Sequence, residues 1–431
     1  MISLETRKNE LYDDLVILFL ILYVMILKWL GLGSYGNLVI TALMAVDFAR
    51  FAQFEKKRAS LICLGLFVLC AGINYLVNPG SIGLFFRNVY PCLRALLMFF
   101  YFSRLIVRKP DYVRNTLKRL FVPLNIYILV NIPVLLLQSR GMTRLAARSM
   151  EGATSKVVQD YYSGLFGLYG TPCLAIFCVL MFLLNFYYAD NYAPGSLKKF
   201  IKAYNWLLTL FFCYFSVIND NKFYYVEMVA FGFIYYITLH RPDDGLQAIT
   251  DVRVKKKNRF FIVNLAMLLG IITAGFVYAY EFSESFKKTA DLFIRKIMQG
   301  LDFNRVTGSG ERLGIINYML NDANRLWGYG AARIAVEAGT MGYVHFGQAD
   351  IASFMAYGGI SYTLLLLLTA GALIHRPFKR FLVPFMYMCG FIMMAVYTRA
   401  FRETSTLTSL LFIFAVIWGV NHPVEKKEES I

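Results

Sequence analysis

Apolar runs recur from one end of the 431-residue chain to the other, separated by short polar stretches. Most approach the ~20 residues that a helix needs to cross a bilayer. The pattern predicts spans at Leu15–Leu30, Leu38–Phe51, Leu61–Val77, Val89–Val107, Leu120–Leu137, Leu165–Tyr188, Tyr204–Ile218, Phe223–Leu239, Phe260–Tyr278, Ile351–Ile374, Phe381–Tyr397 and Leu407–Val420. The expected fold class is an all-α polytopic membrane protein of about 12 transmembrane helices, with a large extracytoplasmic helical loop between helices 9 and 10. The pair flanking Asn219-Asp220-Asn221-Lys222 forms either two spans or a re-entrant hairpin. Residues 1–280 then carry helices 1–9, residues 281–350 the large loop, and residues 351–431 helices 10–12 and a cytoplasmic tail. No repeat or linker divides this membrane domain.

Composition strengthens the pattern. Hydrophobic residues make up 58% and charged residues only 16%, with mean hydropathy +0.53. A soluble core could not bury so much apolar surface at once. The net charge of +17 would suggest nucleic acid in a soluble protein, but the basic residues sit mainly in short loops between apolar runs, so the pattern is topological and no nucleic-acid partner is expected. The basic loops place both ends in the cytoplasm. The polar start, MISLETRKNELYDD, lacks a small-residue cleavage site, so the first run is expected to be a retained helix. The seven cysteines fall inside apolar runs without a CxxC pair, which suggests neither zinc nor a disulfide framework.

Two expected outer segments exceed an ordinary turn, Gln138–Gly164 and Glu281–Asp350. In the second, Phe286, Ala290, Phe293 and Ile297 recur at helical spacing opposite Lys287, Lys288, Arg295 and Lys296. That suits either an amphipathic helix on the membrane surface or a solvated helix packed on the bundle. Ionisable residues in or just above the outer half of the membrane are costly unless paired or functional, and here they are Arg87, Arg94, Asp220, Lys222, Arg399, Arg402 and Glu403. With Arg312 and Arg325 from the loop they form a cationic set at one depth, suited to a pyrophosphate, although any one of them could equally mark a helix end. Lys222 and Asp220 share a turn at that surface, and Asn and Asp also simply favour turns.

The loop glycines follow neither phosphate-binding spacing, GxxxxGK[ST] or GxGxxG, so Gly328 and Gly330 around Tyr329 are expected to shape a tight loop close to the bundle. His345 is the one histidine on the expected outer side and could act as general base toward a sugar hydroxyl, or be a plain surface residue. Asp350, at the mouth of the tenth span, could play that role or cap its helix.

In these marks the chain resembles the O-antigen polymerase and O-antigen ligase family of bacterial membrane glycosyltransferases. The resemblance rests on the whole topology and on four local features. They are Asn221-Lys222, where the family usually has SR; Ser309-Gly310-Glu311-Arg312; Leu326 to Gly330, reading LWGYG; and Gln348-Ala349-Asp350 followed by Tyr357-Gly358, where polymerases often read HSD and then YG. Lysine thus replaces the usual arginine at 222, and glutamine takes the motif histidine's place, with His345 three residues upstream.

The resemblance implies metal-independent, inverting glycosyl transfer without a cofactor at the outer face of a bacterial plasma membrane. Its substrates would be undecaprenyl-pyrophosphate-linked glycans as donor and acceptor. Arg312, Lys222, Arg94, Arg87, Arg399 and Arg402 would bind the pyrophosphate, His345 or Asp350 would take the acceptor proton, and Asp220, Ser309, Glu311, Gly328 and Gly330 would support them. Membrane lipid, a chain-length regulator and a flippase would be the partners. The expected reaction is the joining of repeat units of an O-antigen, capsule or exopolysaccharide. The alternatives are a ligase that moves glycan to lipid A-core, and a polysaccharide or lipid transporter or flippase. A transporter would place polar or broken helices near the midplane, often in repeated halves, whereas this chain concentrates polarity at one face.

Overall fold

The computed structural model describes residues 4–52, 59–140, 162–167, 170–219, 223–240, 312–334 and 349–422, isolated positions between 280 and 302, and the backbone of two short strands, Thr340–Met341 and Val344–His345. The described residues are helical apart from a few turns and the hairpin of those strands, which pairs Thr340 with His345. The helices are α1 (Leu4–Leu22), α2 (Gly33–Phe51), α3 (Ala59–Val77), α4 (Ile82–Arg108), α5 (Pro110–Ser139), α6 (Thr171–Asn191), α7 (Gly195–Ile218), α8 (Phe223–His240), α9 (Arg312–Asn321), α10 (Asp350–His375), α11 (Leu382–Tyr397) and α12 (Thr404–Asn421).

Six of these, α3, α4, α5, α6, α10 and α12, are long and apolar enough to cross a membrane, and Phe223–Leu239 and α11 are shorter apolar helices. The chain is an α-helical polytopic membrane protein. The expected span Phe260–Tyr278 and the helical pattern of Phe286, Ala290, Phe293 and Ile297 lie outside the described residues.

One boundary departs from expectation. The run beginning at Leu165 does not enter its helix directly: Gly164–Phe166 form a single 3-10 turn, Gly167 takes φ +74°, and α6 starts at Thr171 with Pro172 in its first turn. Glycine reaches that left-handed conformation without a Cβ penalty, and proline is tolerated where no helical N–H bond is needed. Hydropathy alone carries neither signal.

Every residue of α12 is buried, which places this largely apolar helix inside the bundle. It packs against α4, α5, α6 and α8, while α10 packs against α3, α4, α9 and α11, so α4 belongs to both groups. Buried amides join α5, α6 and α7: Asn125 Nδ2 donates to Asn185 Oδ1 at 2.9 Å, and Asn185 Nδ2 to Asn205 Oδ1 at 3.1 Å. Hydrophobic association between helices is weak in lipid, and such pairs supply part of the missing specificity.

Contacts between helix ends separate the bundle into a loop end, where residues 312–334 pack, and an opposite end. At the opposite end Arg104, buried in α4, donates to Asp47 in α2 and Asp13 in α1, with Nη2 2.8 Å from Asp47 and 2.9 Å from Asp13. Lys109 adds a second cation 2.6 Å from Asp13. This network ties three helices together without exposing a charge to the apolar interior. Removing one partner strands the others, a loss that costs on the order of 3–5 kcal/mol. Arg104→Ala is therefore expected to lower thermal stability of the purified protein strongly, and Arg104→Lys, which keeps the charge but not the fork, to lower it less; melting curves in detergent measure both.

Candidate functional site

At the loop end, the turn between α11 and α12 is held by a carboxylate two spans of sequence away from it. Asp350, the first residue of α10 and fully buried, accepts from the backbone amides of Phe401 and Arg402 and from Arg402 Nε at 2.6 Å. Arg402 Nη2 donates to the Ala349 carbonyl at 3.1 Å, and the Asp350 amide donates to Thr398 O at 3.0 Å. Both ends of the α11–α12 turn are thus stitched to the start of α10. Asp350 was one of the two expected proton acceptors, yet both its oxygens are engaged, so the geometry makes it a clamp on this turn. Neither does it cap its helix through the side chain, since no such bond forms at the start of α10.

The clamped turn presents a sequence of charges, each met from a different helix. Arg94, buried in α4, donates through Nη2 to the Arg402 carbonyl at 2.6 Å and lies over the Tyr90 ring at 5.3 Å. Glu403 pairs with Lys28, which follows α1, at 2.9 Å, with the lysine side chain almost fully buried. A carboxylate immediately before α12 also faces the positive end of that helix. Arg399, half-buried, is near enough to Arg312 to repel it.

Arg312 is the exception to this balance. It opens α9, is half-buried, and its Nη1 is buried with no hydrogen-bond partner among the described residues. Burial, and then the charge of Arg399, push its pKa down to about 10, which leaves it cationic at neutral pH. A guanidinium so placed is a site that favours an anion, because an arriving phosphate supplies both the missing acceptor and the missing countercharge.

The segment that presents Arg312 is built into the bundle. α10 breaks at Gly359 (φ +68°), and the freed backbone pairs with residues 325–330: Tyr329 N donates to Ala356 O at 2.8 Å, Gly330 N to Tyr357 O at 3.1 Å, and Ile360 N to Arg325 O at 2.8 Å. Gly328 (φ +65°) lies so close that a Cβ there would stand 2.7 Å from the Met355 and Ala356 carbonyls, and at Gly330 one would stand 2.5 Å from Asn78. Two buried asparagines complete the seat. Asn74 in α3 donates to Trp327 O and accepts from Ala331 N, and Asn88 in α4 donates to the carbonyls of Ala331 and Ile334.

Of the remaining expected residues, Arg87 lies exposed on α4 and Arg325 exposed in the loop, neither within the buried set. His345 falls in the second short strand, of which the backbone alone is described. Lys222, Asp220, Ser309 and Glu311 lie outside the described residues. Sequence reasoning passed over Lys28, Asn74 and Asn88, and also Glu227, which is buried in α8 with neither oxygen hydrogen-bonded among the described residues. A lone polar residue inside an apolar run was the available signal for the asparagines and for Glu227. Among the described residues no group of three His, Cys, Asp or Glu side chains forms a metal cluster.

No family model matches the chain, and no curated protein matches it.

The state of Arg312 makes a double expectation. Its uncompensated charge costs stability at all pH values below about 10, and that cost is relieved as pH rises through about 10 toward the ordinary arginine value or, at neutral pH, when an anion binds. Arg312→Met should therefore stabilise the anion-free protein by on the order of 1 kcal/mol, seen as a higher melting temperature, and abolish the stabilisation that added pyrophosphate gives the wild type. Differential scanning fluorimetry with and without pyrophosphate reads both effects.

Proposed function

We propose that the chain is a polysaccharide polymerase that joins undecaprenyl-pyrophosphate-linked repeat units at the outer face of a bacterial plasma membrane. The observation that carries this reading is the gathering of Arg94, Arg312, Arg399 and Arg402 around one clamped turn, with Arg312 Nη1 lacking an acceptor among the described residues. The reading takes the chain to have about twelve spans, both ends in the cytoplasm, and residues 281–350 outside.

In this reaction an acceptor hydroxyl oxygen attacks the anomeric carbon of the donor sugar from the face opposite the leaving group. The bond from that carbon to the pyrophosphate oxygen breaks, and undecaprenyl pyrophosphate departs with the bonding pair. Arg312, assisted by Lys222 and Arg399, stabilises the charge that develops on the leaving oxygen, an electrostatic contribution that a preorganised, water-poor site enlarges. Arg94 and Arg402 act one layer below, by fixing the turn. The hydroxyl proton passes to His345, because the Asp350 carboxylate is committed to Arg402 and the turn.

Deleting the gene in a host that makes the polysaccharide should leave single repeat units on the surface glycan. A ligase would instead leave long chains accumulated on the lipid carrier, and persistence of normal chains would sink the reading. Arg312→Ala and Lys222→Ala should each reduce polymerisation by about a hundredfold or more at unchanged abundance in the membrane. His345→Ala should abolish it with the fold intact, whereas Asp350→Asn should lower the melting temperature. An active His345→Ala protein would remove that residue as the base.

A further inference from the structure

Between α3, α10 and α11, at the end of the bundle away from the cationic cluster, lies a cavity of about 730 Å³. That is within the ~300–1,000 Å³ of ordinary ligand sites. Its walls are apolar: Cys63 from α3, Leu364 and Leu368 from α10, Phe385 and Met388 from α11. Leu364, Leu368, Phe381 and Phe385 are about half exposed or more, so the cavity opens on the surface of the bundle. From Leu364 to Arg376 it follows α10 for roughly 18 Å at about 1.5 Å per residue, over half of the ~30 Å hydrocarbon thickness.

The character of the cavity changes at its end. His375 and Arg376 line it there, the Arg376 guanidinium sits 5.6 Å from the Phe100 ring, and Lys379 and Arg380 stand exposed in the turn that leads into α11. No acidic side chain is among the described residues that line it. An apolar slot about one acyl chain deep that ends in a cationic collar matches one kind of molecule. The structure assigns this cavity as a binding site for an anionic phospholipid of the leaflet opposite the cationic cluster, with one acyl chain in the slot and the phosphate at Arg376. A lipid-linked sugar whose pyrophosphate sat near Arg312 could bring only its tail here, because its anionic group would then lie at the other end of the bundle from the collar. The site is therefore separate from the proposed reaction, and the assignment does not rest on it.

Gly371 provides the test, because a Cβ built on it meets nothing within 4 Å. A phenylalanine there enters the slot without displacing the backbone. The full chain, purified in mild detergent, is titrated with dioleoyl phosphatidylglycerol or dioleoyl phosphatidylcholine and followed by native mass spectrometry, with melting temperature as the check on folding. The expected result is retention of phosphatidylglycerol over phosphatidylcholine by the wild type. Gly371→Phe should weaken phosphatidylglycerol binding about tenfold or more at unchanged melting temperature. Arg376→Gln should reduce the preference for the anionic lipid about fivefold while keeping chain binding. Equal retention of both lipids by the wild type would overturn the assignment, as would wild-type phosphatidylglycerol binding by Gly371→Phe, or displacement of phosphatidylglycerol by an uncharged polyprenol at equal concentration.

Discussion

The Asp350–Arg402 pair is the contact on which the loop end of this protein depends. It joins the first residue of α10 to the turn before α12, and the carboxylate also collects two backbone amides of that turn. A buried ion pair is not in itself a strong source of stability, because desolvation offsets much of the attraction. What it supplies here is position. With the turn fixed, the Arg402 carbonyl becomes an acceptor for Arg94, Glu403 is set against Lys28, and Arg399 is brought near Arg312. Four separate parts of the chain thereby converge on a single turn.

The two ends of the bundle treat charge differently. At the opposite end Arg104 is matched by Asp13 and Asp47, and Lys109 completes the set, so each buried charge has its counter-ion. At the loop end Arg312 has a buried nitrogen without an acceptor among the described residues and a second cation beside it. The first arrangement is complete by itself and holds helices together. The second is complete only with an anion, which makes it the natural place to look for function.

The residues around Gly328 and Gly330 show how the loop is made rigid enough to serve such a site. A break in α10 at Gly359 releases carbonyls and amides that would be orphaned in an apolar surrounding, and the 325–330 backbone satisfies them. Asn74 and Asn88 satisfy the other side of the same segment. Each glycine stands where any side chain would collide with backbone or with Asn78. Arg312 therefore projects from a segment anchored in two directions.

The sequence by itself determined the membrane class and most of the helix positions, because bilayer thickness imposes a length on each apolar run. It also marked Gly328 and Gly330 as a tight loop, since the absence of a side chain is itself a local signal. Only the tertiary structure decided what each charge does. Asp350, Arg402 and Arg312 are equally polar letters in the sequence, but two of them neutralise each other across some fifty residues of chain and the third has a buried nitrogen with no acceptor among the described residues. Asn74 and Asn88 read as isolated polar residues until the loop arrives more than two hundred residues later to bond with them. Pairing depends on distance through space, and periodicity along the chain reports only the direction a side chain takes from its own helix.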